Sequence, residues 1–244
     1  MFTFLRKIRQ SLISSGSTGK YLIYALGEIV LVVIGILIAL QINNWNQSRL
    51  ERNKEELLLK EIHADFINNK EEFKNTVRYY DRVRQNYTTL IKSFPIEPRN
   101  FNVDSMSSLL YRTNTTLDAD IFQGSITALI NSSSFAIISN PELRTLLVQW
   151  IDLVSNYKEA EALLIEFTVD QFFPYLDEHI PIQYDVGIQD KRVDLSFLSS
   201  VKFENMIKRR NLLINNMIAI SEIDDIHIIN TIDRILELSA RKEK

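Results

Sequence analysis

Residues 59–94, LKEIHADFINNKEEFKNTVRYYDRVRQNYTTLIKSF, decide how the rest of the chain is read. The stretch holds no glycine and no proline. Leu59, Phe66, Phe73, Tyr80, Tyr87 and Phe94 recur every seven residues, which places them on one side of an α-helix. Ile62, Val77, Val83, Leu90 and Ile91 widen that side, and Lys60, Glu61, Lys70, Glu71 and Lys74 fill other faces. An aromatic row at this spacing reads as a packed seam of helical-bundle or coiled-coil type, not a ligand site. The helix is predicted from about 48 to 94, and Pro95 and Pro98 end it.

Upstream lies YLIYALGEIVLVVIGILIALQI, residues 21–42, with 22 residues and one charge. At ~1.5 Å per residue this length crosses a hydrocarbon core of ~30 Å. A cleaved signal peptide would have an apolar region of ~7–15 residues and a small-residue cleavage site. This run is longer and no such site follows, so we read a retained transmembrane anchor. The domain division is then 1–20 as a cytoplasmic basic segment, 21–42 as the membrane helix and 43–244 as the large domain.

Flanking charge sets the direction. Before the run stand Arg6, Lys7, Arg9 and Lys20 and no acids, whereas the 24 basic and 30 acidic residues after it leave a net charge of −6. The positive-inside rule places the N-terminus in the cytoplasm and the large domain outside. Tyr21 and Tyr24 mark the inner interface and Trp45 the outer one, at the depth where aromatic rings meet headgroups. Two readings of residues 2–13 stay open. Phe4, Leu5, Ile8 and Leu12 can form the apolar stripe of an interfacial helix, with Arg6, Lys7 and Arg9 facing anionic lipid. Alternatively the segment is a tail whose charges only fix topology. Residues 14–19, SSGSTG, read as a flexible joint.

Glu28 is the unexpected residue of the anchor. A central acid costs about 2.5–3.5 kcal/mol on insertion scales. At helical spacing Glu28, Gly35 and Ala39 share a face with Val32 beside them, and the small pair permits close helix approach. One reading makes Glu28, Val32, Gly35 and Ala39 a membrane-helix interface for a second copy or another envelope membrane protein. The other lets Glu28 snorkel to the inner headgroups.

Downstream, glycine and proline are sparse, which suits long helices and not strands. Asp104 is placed to cap a short helix through Arg112. A second helix is predicted from about 118 to 131, followed by the connector NSSSFAIISN. Asn140, Pro141 and Glu142 form a helix start, and Leu143, Leu147, Trp150, Val154, Tyr157, Leu164 and Phe167 give its core face up to Pro174. Residues 179–195 are irregular. Ser199 or Ser200 caps a last helix that runs to about Ala240, whole or in two pieces meeting near Ser221. The expected fold class is all-α: an N-terminal single transmembrane helix, then an extracytoplasmic antiparallel bundle of three to four long helices.

Chemical motifs are scarce. The chain has no cysteine, which removes disulfides and thiolate chemistry. His63 has Glu61 and Asp65 two positions away, and residues two apart on a helix do not share a face. Asp224 and His227 are one isolated pair, short of the ligands a di-iron bundle needs. His179 reads as a surface residue beside the irregular stretch. Gly124 is read as a turn, a helix start or a close contact, with the turn preferred. No phosphate loop, hydrolase, zinc-protease or kinase signature is present. No catalytic residue, metal ligand or cofactor is assigned, and the large domain lacks the basic stripe of a nucleic-acid binder.

The segments FLRKIRQ and KYLIYALGEIVLVVIGILIALQINNW, a charged long helix, and ITALINSSSFAIISNPELRTLLVQW together resemble an uncharacterised family of small single-pass membrane proteins common in flavobacteria and their relatives. The Gly27-Glu28 pair, Gly35 and the polar exit Gln41, Asn43, Asn44 and Trp45 carry most of the resemblance. It implies an inner-membrane protein with a periplasmic helical domain, and brings no activity with it. Three function classes follow in order: a non-enzymatic interaction or scaffold protein, a ligand-sensing bundle signalling through a membrane partner, and a membrane-tethered enzyme using residues around 179–192. The partners expected are the lipid bilayer and a second copy or another envelope membrane protein.

Overall fold

The computed structural model describes residues 18–97, 116–180, 195–222 and 228–240, which are helical with short connections and include no strand. Six α-helices follow in order: α1 (Thr18–Lys92), α2 (Gly124–Ile130), α3 (Pro141–Phe167), α4 (Phe173–Asp177), α5 (Val201–Glu222) and α6 (Ile228–Ser239). Short 3-10 turns stand at Ser133–Ile137 and Leu195–Ser199, and a π turn at Thr168–Phe172. The chain divides into two compact units, Met1–Glu55 and Glu56–Lys244.

In the first unit, α1 begins at Thr18, inside the expected joint, and runs without a break through residues 43–47. Its apolar side chains are exposed on every side, with Leu22 at 67% and Leu31 at 74%. This helix is long and apolar enough to cross a membrane. Arg6, Lys7 and Arg9, with the expected interfacial segment, lie outside the described residues, as do Asp104 and Arg112.

In the second unit the predicted seam is buried. Ile62, Phe66, Phe73, Tyr80, Val83, Tyr87 and Leu90 are core residues, and Leu59, Val77, Ile91 and Phe94 pack at its margin. The core face predicted for α3 is buried from Leu143 to Phe167. Asn140 caps α3 as expected: its Oδ1 accepts the Leu143 N–H at 3.1 Å, with Pro141 in the first turn. Pro174 has no N–H for the carbonyl four residues back. The helix widens into the π turn before it and resumes as α4. Ser200 supplies the cap of α5, its Oγ accepting the Phe203 N–H at 3.1 Å. The last helical region is described as α5 and α6, and residues 223–227 between them lie outside the described residues.

Cross-helix pairs fix the directions. Phe66 meets Trp150 at 4.9 Å and Phe73 meets Tyr157 at 5.3 Å, so α1 and α3 ascend together. Phe94 meets Phe203 at 5.8 Å, the Arg210 Nη1 donates to the Tyr87 hydroxyl at 2.5 Å, and Lys70 pairs with Asp233 at 2.5 Å. Thus α5 and α6 descend along α1. This corrects the antiparallel expectation for α1 and α3, which are parallel. A parallel neighbour needs a connection that travels back down the domain, and residues 93–140 contain it.

The returning connection corrects a second expectation. Only Gly124–Ile130 of the predicted 118–131 helix is helical. From Leu117, bonded to Tyr80, to Phe122, bonded to Asn69, the chain advances five residues while α1 retreats eleven. Eleven helical steps and five extended steps both cover about 16 Å. A helix over 117–122 would span about half of that and could not reach both pins. Gly124 is a helix start: nothing lies within 4 Å of a Cβ placed there, so it serves no close approach.

Candidate functional site

Residues 116–123 form an extended strap whose backbone is held by side chains of α1 and α3. On α1, the positions 65, 69, 72 and 80 recur at three- and four-residue steps or their multiples and so line one face. The Ser125 hydroxyl donates to Asp65. Asn69, fully buried, accepts the Phe122 N–H at 2.7 Å and donates to the Phe122 carbonyl at 3.0 Å. Glu72 accepts the Asp120 N–H at 3.3 Å. The Tyr80 hydroxyl donates to the Leu117 carbonyl at 2.7 Å and accepts the Leu117 N–H at 3.1 Å. Such pairing replaces the helical hydrogen bonds the segment gives up. Replacing Asn69 by alanine is expected to cost about 1–3 kcal/mol, because a buried donor–acceptor pair is left unmade. Thermal denaturation of the full chain measures it.

The strap centre meets α3 at a charged cluster. Glu161, 2% exposed, accepts the Ala119 N–H at 2.9 Å. Lys158 donates to Glu161 at 2.8 Å, to Asp118 at 2.5 Å and to the Ala119 carbonyl. The Lys158 ammonium thus bridges the Asp118 and Glu161 carboxyl groups. Burial, then the bond to Asp118, pushes the Glu161 carboxyl above its ordinary range. The bonds from Glu161 and Lys158 hold Asp118 below its own. Burial pushes the Tyr80 phenol up to about 12. Burial and the nearby Glu161 raise the Tyr157 phenol as well. One ammonium between two carboxyl groups and a backbone carbonyl, with two neutral phenols beside it, is an arrangement that pins the strap backbone to α3.

A second buried charge stands higher on the same core. Arg210, fully buried on α5, donates through Nε to the Thr168 Oγ1 at 2.9 Å and through Nη1 to Tyr87. Its guanidinium faces the rings of Tyr87 and Phe172 at 5.7 and 5.5 Å. Thr168 in turn donates to the Leu164 carbonyl at 2.7 Å, so Arg210 ties the π turn to α1.

Sequence reasoning missed Glu161, Asn69 and Arg210, although each carries a visible signal. Glu161 falls between Tyr157 and Leu164, Asn69 between Phe66 and Phe73, and Arg210 between Ile207 and Ile214. Each is a polar residue on an apolar stripe, which a fold accepts only where partners satisfy it.

The residues singled out earlier are dispersed. Glu28, Val32, Gly35 and Ala39 lie exposed on α1, with nothing within 4 Å of a Cβ placed at Gly35. Tyr21 and Tyr24 belong to α1, with side chains outside the described set. Trp45 is 60% exposed, with the Arg49 guanidinium 5.6 Å from its ring. The Nδ1 of His63 lies 3.1 Å from the Ser239 Oγ. His179 is not a free surface residue: its ring stacks on Phe197 at 4.8 Å and meets Tyr175 edge-on at 5.0 Å. Asp224 and His227 lie outside the described residues, as does most of the irregular stretch, 181–194. Among the described residues no His, Asp and Glu group is placed to hold a metal. Surface depressions among the described residues include one of about 490 Å³ (Arg84, Gln85, Thr88, Thr89, Asn215) and one of about 320 Å³ (Asn156, Glu159, Ala160, Leu163), and neither of these is lined by the Glu161 cluster.

These features define an all-helical protein class: one helix with the length and apolarity to cross a membrane, and a helical domain pinned by a buried polar cluster. The chain belongs to a family of unknown function, DUF6090, whose model matches residues 28–157. The match takes in most of the apolar run, the seam, the strap and α3 as far as Tyr157. Comparison with curated proteins and with solved structures finds no match. Neither the family nor the described geometry points to catalysis.

Proposed function

We propose that this chain is a single-pass inner-membrane protein with a cytoplasmic N-terminus and a periplasmic helical bundle, acting as a non-enzymatic interaction or scaffold protein. The observation that carries the reading is the apolar stretch of α1, which no part of the chain covers among the described residues. Water does not support an all-round apolar helix, and a bilayer does. The basic residues before it and the mixed charges after it support the direction. The resemblance to flavobacterial single-pass proteins agrees with both. Within the membrane, Glu28, Val32, Gly35 and Ala39 form the proposed contact face for a second copy or another envelope membrane protein.

The absence of cysteine makes topology directly testable. A cysteine at Lys244 should react with an impermeant maleimide in intact spheroplasts, and one at Thr3 only after permeabilisation. The opposite pattern overturns the orientation. For the contact face, Glu28→Leu and Gly35→Leu should each weaken self-association or partner recovery from mild detergent several-fold; in a membrane two-hybrid assay, unchanged signals for both would remove this face from the reading. The polar depression at Arg84 and Asn215 supports a second reading, a ligand-sensing domain with a membrane partner, which a small-molecule thermal-shift screen of the full chain addresses.

A further inference from the structure

We propose that Trp45 and Arg49 form a binding site for the phosphate of an anionic glycerophospholipid, in the leaflet at the C-terminal end of the membrane span. The site rests on the reading of residues 21–42 as that span, and adds the ligand that holds its outer end.

The helix sets the depths. The apolar run ends at Ile42, and α1 continues through Trp45 and Arg49 without a break. The Trp45 backbone stands about 4.5 Å beyond Ile42 and the Arg49 backbone about 10.5 Å beyond, at about 1.5 Å per residue. A headgroup layer is about 5–7 Å thick on each side of the bilayer. The Arg49 backbone therefore lies outside that layer, but its charge does not. The guanidinium sits 5.6 Å from the centre of the Trp45 ring, one helical turn back toward the span. Long side chains on a helix lean toward its N-terminus, and at this end of the span that direction leads into the headgroups. The charge is thus carried back to the depth of Trp45, where the phosphates stand.

The chemistry of the pair suits a phosphodiester. The indole ring, 60% exposed, takes one face of the guanidinium in a cation–π contact and leaves its N–H edge for an acceptor. That edge is a planar fork with a permanent charge, matched to two phosphate oxygens. No acid on the same side competes. Residues three or four from Arg49 share its face, and these are Trp45, Asn46, Arg52 and Asn53. The nearby acid, Glu51, is two positions away and off that face, where it accepts a hydrogen bond from Gln47 at 2.9 Å. Arg52 lacks such a ring, because the residue one turn before it is Ser48.

The full chain reconstituted in phosphatidylcholine vesicles tests this. A minor fraction of brominated lipid, either phosphatidylglycerol or phosphatidylcholine, quenches an indole on contact. The Trp45 signal is the difference between wild type and Trp45→Phe, and Trp150 is fully buried and closed to contact. Brominated phosphatidylglycerol should quench Trp45 about fivefold more effectively, the preference that one basic side chain at an anionic surface confers. Arg49→Gln should bring the two lipids level. Arg52→Gln should keep the preference, its backbone being about 15 Å beyond Ile42. Both arginines are exposed, so neither variant disturbs a core. Equal quenching by the two lipids in wild type overturns the site and leaves the span standing, as does an unchanged preference in Arg49→Gln. Equal loss in Arg52→Gln means diffuse attraction and also overturns the site. Loss of the preference on adding inorganic phosphate, against chloride at the same ionic strength, assigns the site to free phosphate and overturns the lipid assignment. Absence of quenching by either lipid overturns the span itself.

Discussion

Trp150→Ala is expected to destabilise the helical domain by about 3–5 kcal/mol, the cost typical of removing a large aromatic from a core. Trp150 is fully buried on α3 and packs on Phe66 of α1, at the pair that sets the parallel alignment of the two helices. The cavity would sit between two elements joined only by the long returning connection, where relaxation of one helix cannot easily fill the gap. For a domain of this size each kcal/mol moves the midpoint by about 2–4 °C. A fall of roughly 6–20 °C in the thermal unfolding of the full chain in detergent is therefore expected. Leu212→Ala is the control: Leu212 is 57% exposed on α5, and its loss should stay within about 0.5 kcal/mol. Equal midpoints for the two variants would show that the α1–α3 seam does not hold the domain together.

The second large effect concerns the apolar run. Leu31 and Ile38 are seven residues apart and share one side of α1. Arginine at both should cost about 5–7 kcal/mol on insertion scales, at about 2.5–3.5 kcal/mol each. That exceeds what one apolar helix of this length tolerates without local bilayer deformation. The double variant should leave the carbonate-resistant membrane pellet and appear in the soluble fraction or be degraded. Leu57→Arg serves as control, since Leu57 is 64% exposed in the second unit and should leave fractionation unchanged. Undiminished membrane retention of Leu31→Arg/Ile38→Arg would remove the membrane assignment of 21–42, and with it the basis of the proposed topology.

Particular residues show how far local pattern reaches. The row from Leu59 to Phe94 was legible because a helix reports its buried face every three or four residues, with no need of a partner's identity. Asn140 and Pro141 were legible because a helix start satisfies its own N–H groups locally. Pro174 was legible as an interruption, although the π turn that absorbs it was not. The strap was not legible. Its one signal, the alternation of Leu117, Asp118, Ala119, Asp120 and Ile121, spans only five residues, and stretches this short are ambiguous between helix and extended chain. His179 was misjudged because its stacking partner Phe197 lies across the irregular stretch.

The candidate site divides the same way. A carboxylate at 161 and a guanidinium at 210 interrupt apolar stripes, so their positions signal that something must satisfy them. Which groups do so is a matter of distance in space: Asp118 lies 43 residues from Glu161, and Tyr87 lies 123 residues from Arg210. No helical period connects them.

The amino-acid sequence by itself determined the helical class, the long seam of residues 59–94, the cap at Asn140 and a run with the length and apolarity of a membrane span. These rest on backbone periodicity, on capping and on hydrophobic length, all local properties. Only the tertiary structure decided that α1 and α3 are parallel, that residues 117–122 are extended, and that Glu161, Lys158 and Asp118 meet. The reason is geometric: once two long helices ascend side by side, the chain between them must return over the same distance. An extended strap covers about 16 Å in five residues where a helix would need eleven.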